Sequence, residues 1–224
     1  MVQAQNFQFQ ATESSGSVSA LLIRPENASC LYVFGHGAGA GMEHAFMEAM
    51  ARRFAEVGIA TLRYNFPYME KGQRSPNAPA ISQATVRSAV KLANDLAEGL
   101  PILAGGKSYG GRMTSQAAAR EPLVGVKGLV FLGFPLHAPG KPGSERGAHL
   151  HDVAVPTLFL QGTRDKLADL TLLKPLLKKL GSKTTLYEME GGDHSFKVLK
   201  STGRSQEEVM LEIATTVKNW SQSL

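Results

Sequence analysis

The sequence predicts a three-layer α/β/α sandwich on a mostly parallel sheet, opened by an antiparallel strand pair. Three observations carry this expectation. Apolar strand-like runs alternate with amphipathic helical segments along the 224 residues. Later runs such as 126–133 and 156–160 are almost continuously apolar, as strands covered on both faces are. Several runs end in glycine-rich turns, where a strand hands the chain to a loop or helix.

The elements follow in order. Residues 6–10 and 18–24 read as the leading pair, joined by the turn-rich Glu13-Ser14-Ser15-Gly16. Residues 31–34 form the next strand. Within 43–57, Phe46, Met50, Phe54 and Val57 share one helical face. A strand at 59–64 precedes a helix at 81–98 with Val86, Val90, Leu92 and Leu96 inward. Residues 101–105 are a strand and 109–120 a helix. The runs 126–133 and 156–160 are strands, 170–180 a helix and 184–189 the last strand. Residues 206–220 close the chain as a helix with Val209, Ile213, Val217 and Trp220 aligned. The long irregular stretch, 135–153, is rich in Pro, Gly and His. At about 20 residues it is too short for a separate cap domain. One domain with no cap and an open site is expected.

Composition narrows the function classes. Hydrophobic residues make up 43% and charged residues 19%, an ordinary globular balance. The net charge is +5, but the basic residues are scattered: Arg52-Arg53, Lys107, Lys178-Lys179, Lys197, Lys200. No run of five like charges marks a nucleic-acid interface. These residues read as solvated surface in preference to a bias toward anionic substrates. The single cysteine, Cys30, excludes an intrachain disulfide. It heads an apolar run with no glycine turn or histidine beside it, and reads as a small buried hydrophobe rather than a nucleophile. Residues 1–9 lack the basic region and apolar core of a secretory leader. No apolar run approaches the ~20 residues that span a bilayer. The expectation is a cytoplasmic protein acting on a small-molecule or acyl substrate, without metal or cofactor. The sequence carries no signal of oligomeric state.

The chemistry concentrates in Gly106-Lys107-Ser108-Tyr109-Gly110, a G-x-S-x-G run between a strand and a helix. That setting forms a nucleophile elbow, which pushes a serine hydroxyl clear of its neighbours. A serine also needs a base, and the base an orienting acid. In this architecture they follow in the order nucleophile, acid, histidine. The run Leu158 to Asp165 supplies a strand, a glycine turn and an acid. The run Met189 to Phe196 supplies His194, again through glycines. Ser108, Asp165 and His194 are therefore the expected triad, all at C-terminal strand ends. Asp193 adjoins His194, Asp152 precedes its strand, and Asp169 looks like a helix cap; each is a poorer acid. The oxyanion hole is expected from the backbone N–H groups of Tyr109 and of Ala38, the latter in the glycine-rich run 35–41. Arg112, one turn past Ser108, suits either a substrate carboxylate or a structural ion pair. His137 is placed either in the pocket or in solvent. Tyr68, with Phe66 and Met69, forms either a pocket wall or loop packing.

Two runs resemble competing motifs. Gly35 to Ala40 fits G-x-G-x-x-A, the dinucleotide fingerprint of an NADP-binding oxidoreductase. The following strand ends Leu62-Arg63-Tyr64-Asn65 with no acid for a ribose hydroxyl; only Arg63 offers itself, to a 2′-phosphate. Gly106-Lys107-Ser108 resembles the end of a P-loop, but the glycine required five residues earlier is Pro101.

Taken together these residues resemble the α/β-hydrolase superfamily across essentially the whole chain. The capless arrangement is similar to dienelactone-hydrolase-like proteins, whose elbow usually carries cysteine where this chain has Ser108. The runs 105–112 (GGKSYGGR), 133–137 (GFPLH), 140–142 (GKP) and 155–165 (VPTLFLQGTRD) resemble the branch of testis-expressed and KANSL-subunit hydrolase-like proteins. The resemblance implies the hydrolase fold and the triad positions Ser108, Asp165 and His194. It implies no substrate, and since some relatives are scaffolds it carries a second reading, a non-catalytic interaction protein.

Overall fold

The structure, a computed structural model, describes residues 2–224; Met1, the first residue of the stretch read for a leader, lies outside the described residues. The strands are β1 (Gln5–Thr12), β2 (Gly16–Ile23), β3 (Cys30–Gly35), β4 (Ile59–Tyr64), β5 (Ile102–Lys107), β6 (Val126–Leu132), β7 (Thr157–Gly162) and β8 (Thr184–Met189). The helices are α1 (Ala45–Glu56), α2 (Pro67–Glu70), α3 (Pro79–Leu96), α4 (Tyr109–Arg120), α5 (Leu170–Leu180) and α6 (Gln206–Ser221). Among the described residues the strands form one sheet in the order β1-β2-β4-β3-β5-β6-β7-β8. The β1–β2 and β2–β4 pairs are antiparallel and every later pair is parallel.

The continuous apolar runs arise because successive side chains leave a strand on opposite faces. Leu31 and Val33 of β3 pack on the α3, α4 and α5 side; Tyr32 and Phe34 pack on the α1 and α6 side. In β6, Leu129 and Phe131 face the first layer, Val130 and Leu132 the second. On the second side Phe34, Tyr32 and Phe54 form an aromatic cluster with centroids 5.0–5.8 Å apart. α6 starts at a capping box, with Ser205 and Glu208 each accepting from the other's backbone N–H.

Several expectations are corrected. In α1 the buried face is Met47, Met50, Ala51 and Phe54, while Phe46 and Val57 are half-buried. In α3 Ala89 and Ala93 are buried along with Val86 and Val90, while Leu92 and Leu96 are half-buried. Small residues let this helix lie close to the sheet, a signal that side-chain size conceals. The stretch 135–153 is not wholly irregular: Glu145–Asp152 is a 3-10 helix packed against α4. The one-turn α2 went unpredicted; Pro67 at its first position sets φ for a helix it is too short to announce by periodicity.

Strand register prepares the site. Gly35 at the end of β3 pairs with Gly106 at the end of β5. The glycine-rich loop after β3 therefore emerges beside the G-x-S-x-G turn.

Candidate active site

The turn at Ser108 is possible only with glycine around it. Ser108 has φ 49° and ψ −110° between β5 and α4, an unfavourable region for a side-chain-bearing residue. Gly106 has φ +157°, and a Cβ there would stand 2.3 Å from the Gly35 carbonyl oxygen. A Cβ on Gly110 would meet the same oxygen at 2.3 Å. Any larger residue at either position would force β3 and the β5–α4 turn apart.

Asp165 and His194 come from turns after β7 and β8. His194 Nε2 lies 2.9 Å from Ser108 Oγ, and His194 Nδ1 lies 2.7 Å from Asp165 Oδ2. The three expected residues thus form one continuous hydrogen-bond chain. The Asp165 side chain is fully buried. Its Oδ1 accepts the Leu167 backbone N–H at 2.7 Å and its Oδ2 also accepts from Gln161 Nε2. Gln161 is held in turn by the Phe134 N–H, which donates to its Oε1 at 2.9 Å. The rival acids lie elsewhere. Asp193 Oδ1 accepts the Ser195 and Lys197 N–H groups, shaping the His194 loop. Asp152 pairs with His151, and Asp169 caps α5 by accepting from Thr171.

Ser108 and His194 open into a cavity of about 810 Å³. Its wall includes Ala38, Phe46, Met47, Ala49, Leu167 and Met210. Tyr109 is the first residue of α4, so its N–H has no carbonyl one turn back in the helix to bond. The positive end of the helix dipole points the same way. Ala38 lies on the cavity wall, in the loop whose position the β3–β5 register sets.

The other sequence candidates are buried supports. Tyr68 is fully buried; its hydroxyl accepts the Gly39 N–H at 3.0 Å, bracing the loop that carries Ala38. Its ring and that of Phe66 pack edge-on against His36. Buried His36 lies 2.7 Å through Nδ1 from the Gly37 carbonyl and accepts the Phe66 N–H on Nε2 at 3.1 Å. Burial lowers its pKa to about 4, against the raising effect of the Gly37 bond. His137 is neither in solvent nor on the cavity wall. It is buried, and its Nε2 accepts the Asp169 N–H at 3.0 Å, tying the post-β6 segment to the Asp165 turn. Arg112 is also off the cavity wall, and no carboxylate pairs with it among the described residues. Arg63, the residue a 2′-phosphate reading needed, is buried with one guanidinium nitrogen on the Met42 carbonyl at 3.0 Å.

Two residues of the site escaped the sequence reading. Gln161 was visible as a polar residue inside an apolar strand. Lys107, read as surface charge, is buried, and its ammonium donates to the His194 carbonyl at 2.6 Å beneath the face of Phe196. Burial lowers its pKa to about 8, against the raising effect of Asp165 and Asp193. A lysine closing a wholly apolar strand was the available signal.

Among the described residues no cluster of His, Cys, Asp and Glu suits a metal ion, and no helix is long and apolar enough to cross a membrane. Solved structures of similar shape agree on the architecture. An alpha-beta serine hydrolase homologue from Coxiella burnetii is 20% identical with TM-score 0.73, covering 95% of this chain and 97% of that one. An a/b serine hydrolase without lid from Xanthomonas campestris is 19% identical with TM-score 0.74, covering 97% and 95%. A dienelactone hydrolase from Anabaena variabilis is 19% identical with TM-score 0.73, covering 99% and 98%. At these identities the likeness speaks for the fold. Residues 28–222 match the family described as "Alpha/beta hydrolase domain", and with this sheet order and strand–turn–helix elbow the chain belongs to the alpha/beta hydrolase family.

Proposed function

We propose that the chain is a serine hydrolase that cleaves an ester, thioester or amide through an acyl-enzyme on Ser108. The observation that carries this reading is the unbroken chain Ser108 Oγ to His194 Nε2 at 2.9 Å and His194 Nδ1 to Asp165 Oδ2 at 2.7 Å. In this mechanism Ser108 Oγ attacks the substrate carbonyl carbon while His194 Nε2 takes its proton. Buried Asp165 holds the Nδ1–H tautomer and stabilises the imidazolium. The oxygen of the tetrahedral intermediate receives the N–H groups of Tyr109 and Ala38. His194 gives its proton to the leaving group, then activates a water that releases the acid and frees Ser108.

The apolar cavity wall supports an acyl group of hydrocarbon character. The four runs GGKSYGGR, GFPLH, GKP and VPTLFLQGTRD support placement in the testis-expressed and KANSL-subunit hydrolase-like branch.

A fluorophosphonate probe tests the reading. Wild-type protein is expected to be labelled and Ser108→Ala protein not. Equal labelling of both, or none of either, would defeat it; the second result would favour a non-catalytic scaffold.

A further inference from the structure

Arg112 carries a charge near Ser108 that no carboxylate among the described residues pairs with. It lies four residues past Ser108 on α4, and its backbone N–H donates to the Ser108 carbonyl at 3.1 Å. Helical side chains lean toward the helix N-terminus. That lean sets the guanidinium over the Tyr109 ring, 5.9 Å from its centroid, back at the level of the nucleophile turn. There Arg112 is half-buried, and its Nε is sealed from solvent with no acceptor. An ionic donor buried without a partner is unfavourable.

The surroundings add a second unpaired charge. Arg146, on the 3-10 helix packed against α4, is a second arginine whose side chain has no hydrogen bond or ion pair among the described residues. Burial first, and the Arg146 charge second, lower the Arg112 pKa. His149 beside them adds no charge at neutral pH: it is bonded to Ser115 Oγ at 2.7 Å, and burial followed by the Arg112 charge lowers its pKa to about 4. Asp152, whose charge is felt at His149, lies 3.2 Å from His151 Nε2 and forms no ion pair with either arginine. Among the described residues no carboxylate pairs with either arginine, so the structural ion pair that was one of the two readings of Arg112 is absent.

We propose that Arg112 and Arg146 form an anion-binding subsite that takes a carboxylate or phosphate carried by the substrate. The planar guanidinium fork matches both groups. Neither arginine lines the apolar cavity, so the anion sits on the α4 side of Ser108. The substrate class is an ester or thioester with an apolar acyl part and an anionic remainder. That class rests on the hydrolase reading; the anion site itself does not.

Butyryl thioesters of three thiols separate the cases: N-acetylcysteamine (neutral), mercaptopropionate (carboxylate) and mercaptoethyl phosphate. Wild-type kcat/KM on at least one anionic thioester is expected to exceed the neutral one by about ten-fold or more, from one charge-assisted contact. Which anion wins tells carboxylate from phosphate. The ratio is expected to fall close to one in Arg112→Gln and in Arg146→Gln; the latter is on an outer 3-10 helix and serves if the former fails to fold. A wild-type ratio of one or below for both anions, or a ratio preserved in the double variant, overturns the proposal. Binding is read separately on Ser108→Ala protein. Inorganic phosphate or succinate should raise its Tm, and adding Arg146→Gln should abolish the rise. If no thioester turns over, fluorophosphonate labelling of Ser108 still decides the hydrolase reading, and this second arm decides the subsite: no rise in Tm overturns it.

Discussion

Replacing Lys107 by methionine separates what the buried ammonium costs the fold from what it gives the site. The amine lies within the protein with its pKa lowered from 10.5 to about 8. One pKa unit corresponds to about 1.4 kcal/mol, so the fold disfavours the protonated amine by about 3 kcal/mol, an order-of-magnitude figure. The sign follows from linkage. Between pH 8 and 10.5 the unfolded chain holds this proton and the folded protein does not, so stability rises with pH across that window. Below pH 8 both states are protonated and the full penalty is present. Methionine fills similar space without a charge. The unfolding free energy of wild type minus that of Lys107→Met should therefore increase by about 3 kcal/mol from pH 7 to 10.5. Urea unfolding at half-unit pH steps measures it. Taking the difference removes the opposing effect of buried Tyr32 and Tyr64, whose pKa values burial raises. Activity should move the other way, because the 2.6 Å bond holding the His194 carbonyl is lost. A pH-independent stability difference would refute the buried-charge argument.

Two further outcomes are expected. In Asp165→Asn, kcat should fall by about 10⁴ if Asp165 sets the histidine tautomer. The stability should also drop by about 1–3 kcal/mol. Three donors converge on the carboxylate from Gln161, Leu167 and His194, and an amide offers only one oxygen. Turnover within ten-fold of wild type would remove Asp165 from the mechanism. For His36, the folded pKa of about 4 lies below the usual 6.5, so stability should be full above pH 6.5 and decline as pH falls toward 4, by about 3 kcal/mol. His36→Gln should flatten that decline in acid-denaturation curves, and an unchanged slope would exclude His36 as its source.

The elements were legible because their signals are local. The helices 109–120 and 170–180 and the strands 59–64 and 184–189 were bounded from periodicity and turn residues alone, and they coincide with α4, α5, β4 and β8. The 3-10 helix at Glu145–Asp152 was missed because its period matches no amphipathic template, and its Pro- and Gly-rich approach reads as loop. The buried faces of α1 and α3 were misread where size was taken for depth. Phe46 is larger than Ala51, yet Ala51 faces the sheet.

At the site, the sequence by itself determined that Ser108, Asp165 and His194 each follow a strand, and that glycines surround the serine. Strand ends and turn chemistry are written in short runs of residues. Only the tertiary structure decided which charges are buried and which lack partners. Lys107 and Arg112 are both cations flanking one turn; one reaches a carbonyl 87 residues away in sequence, and the other meets no carboxylate among the described residues. His137, which the sequence left between pocket and solvent, and Tyr68, left between pocket wall and loop packing, are both buried off the cavity, bonded to the Asp169 and Gly39 N–H groups. Such pairings depend on where distant loops converge over the sheet. The free energy of a charge depends on that surrounding, not on its neighbours along the chain.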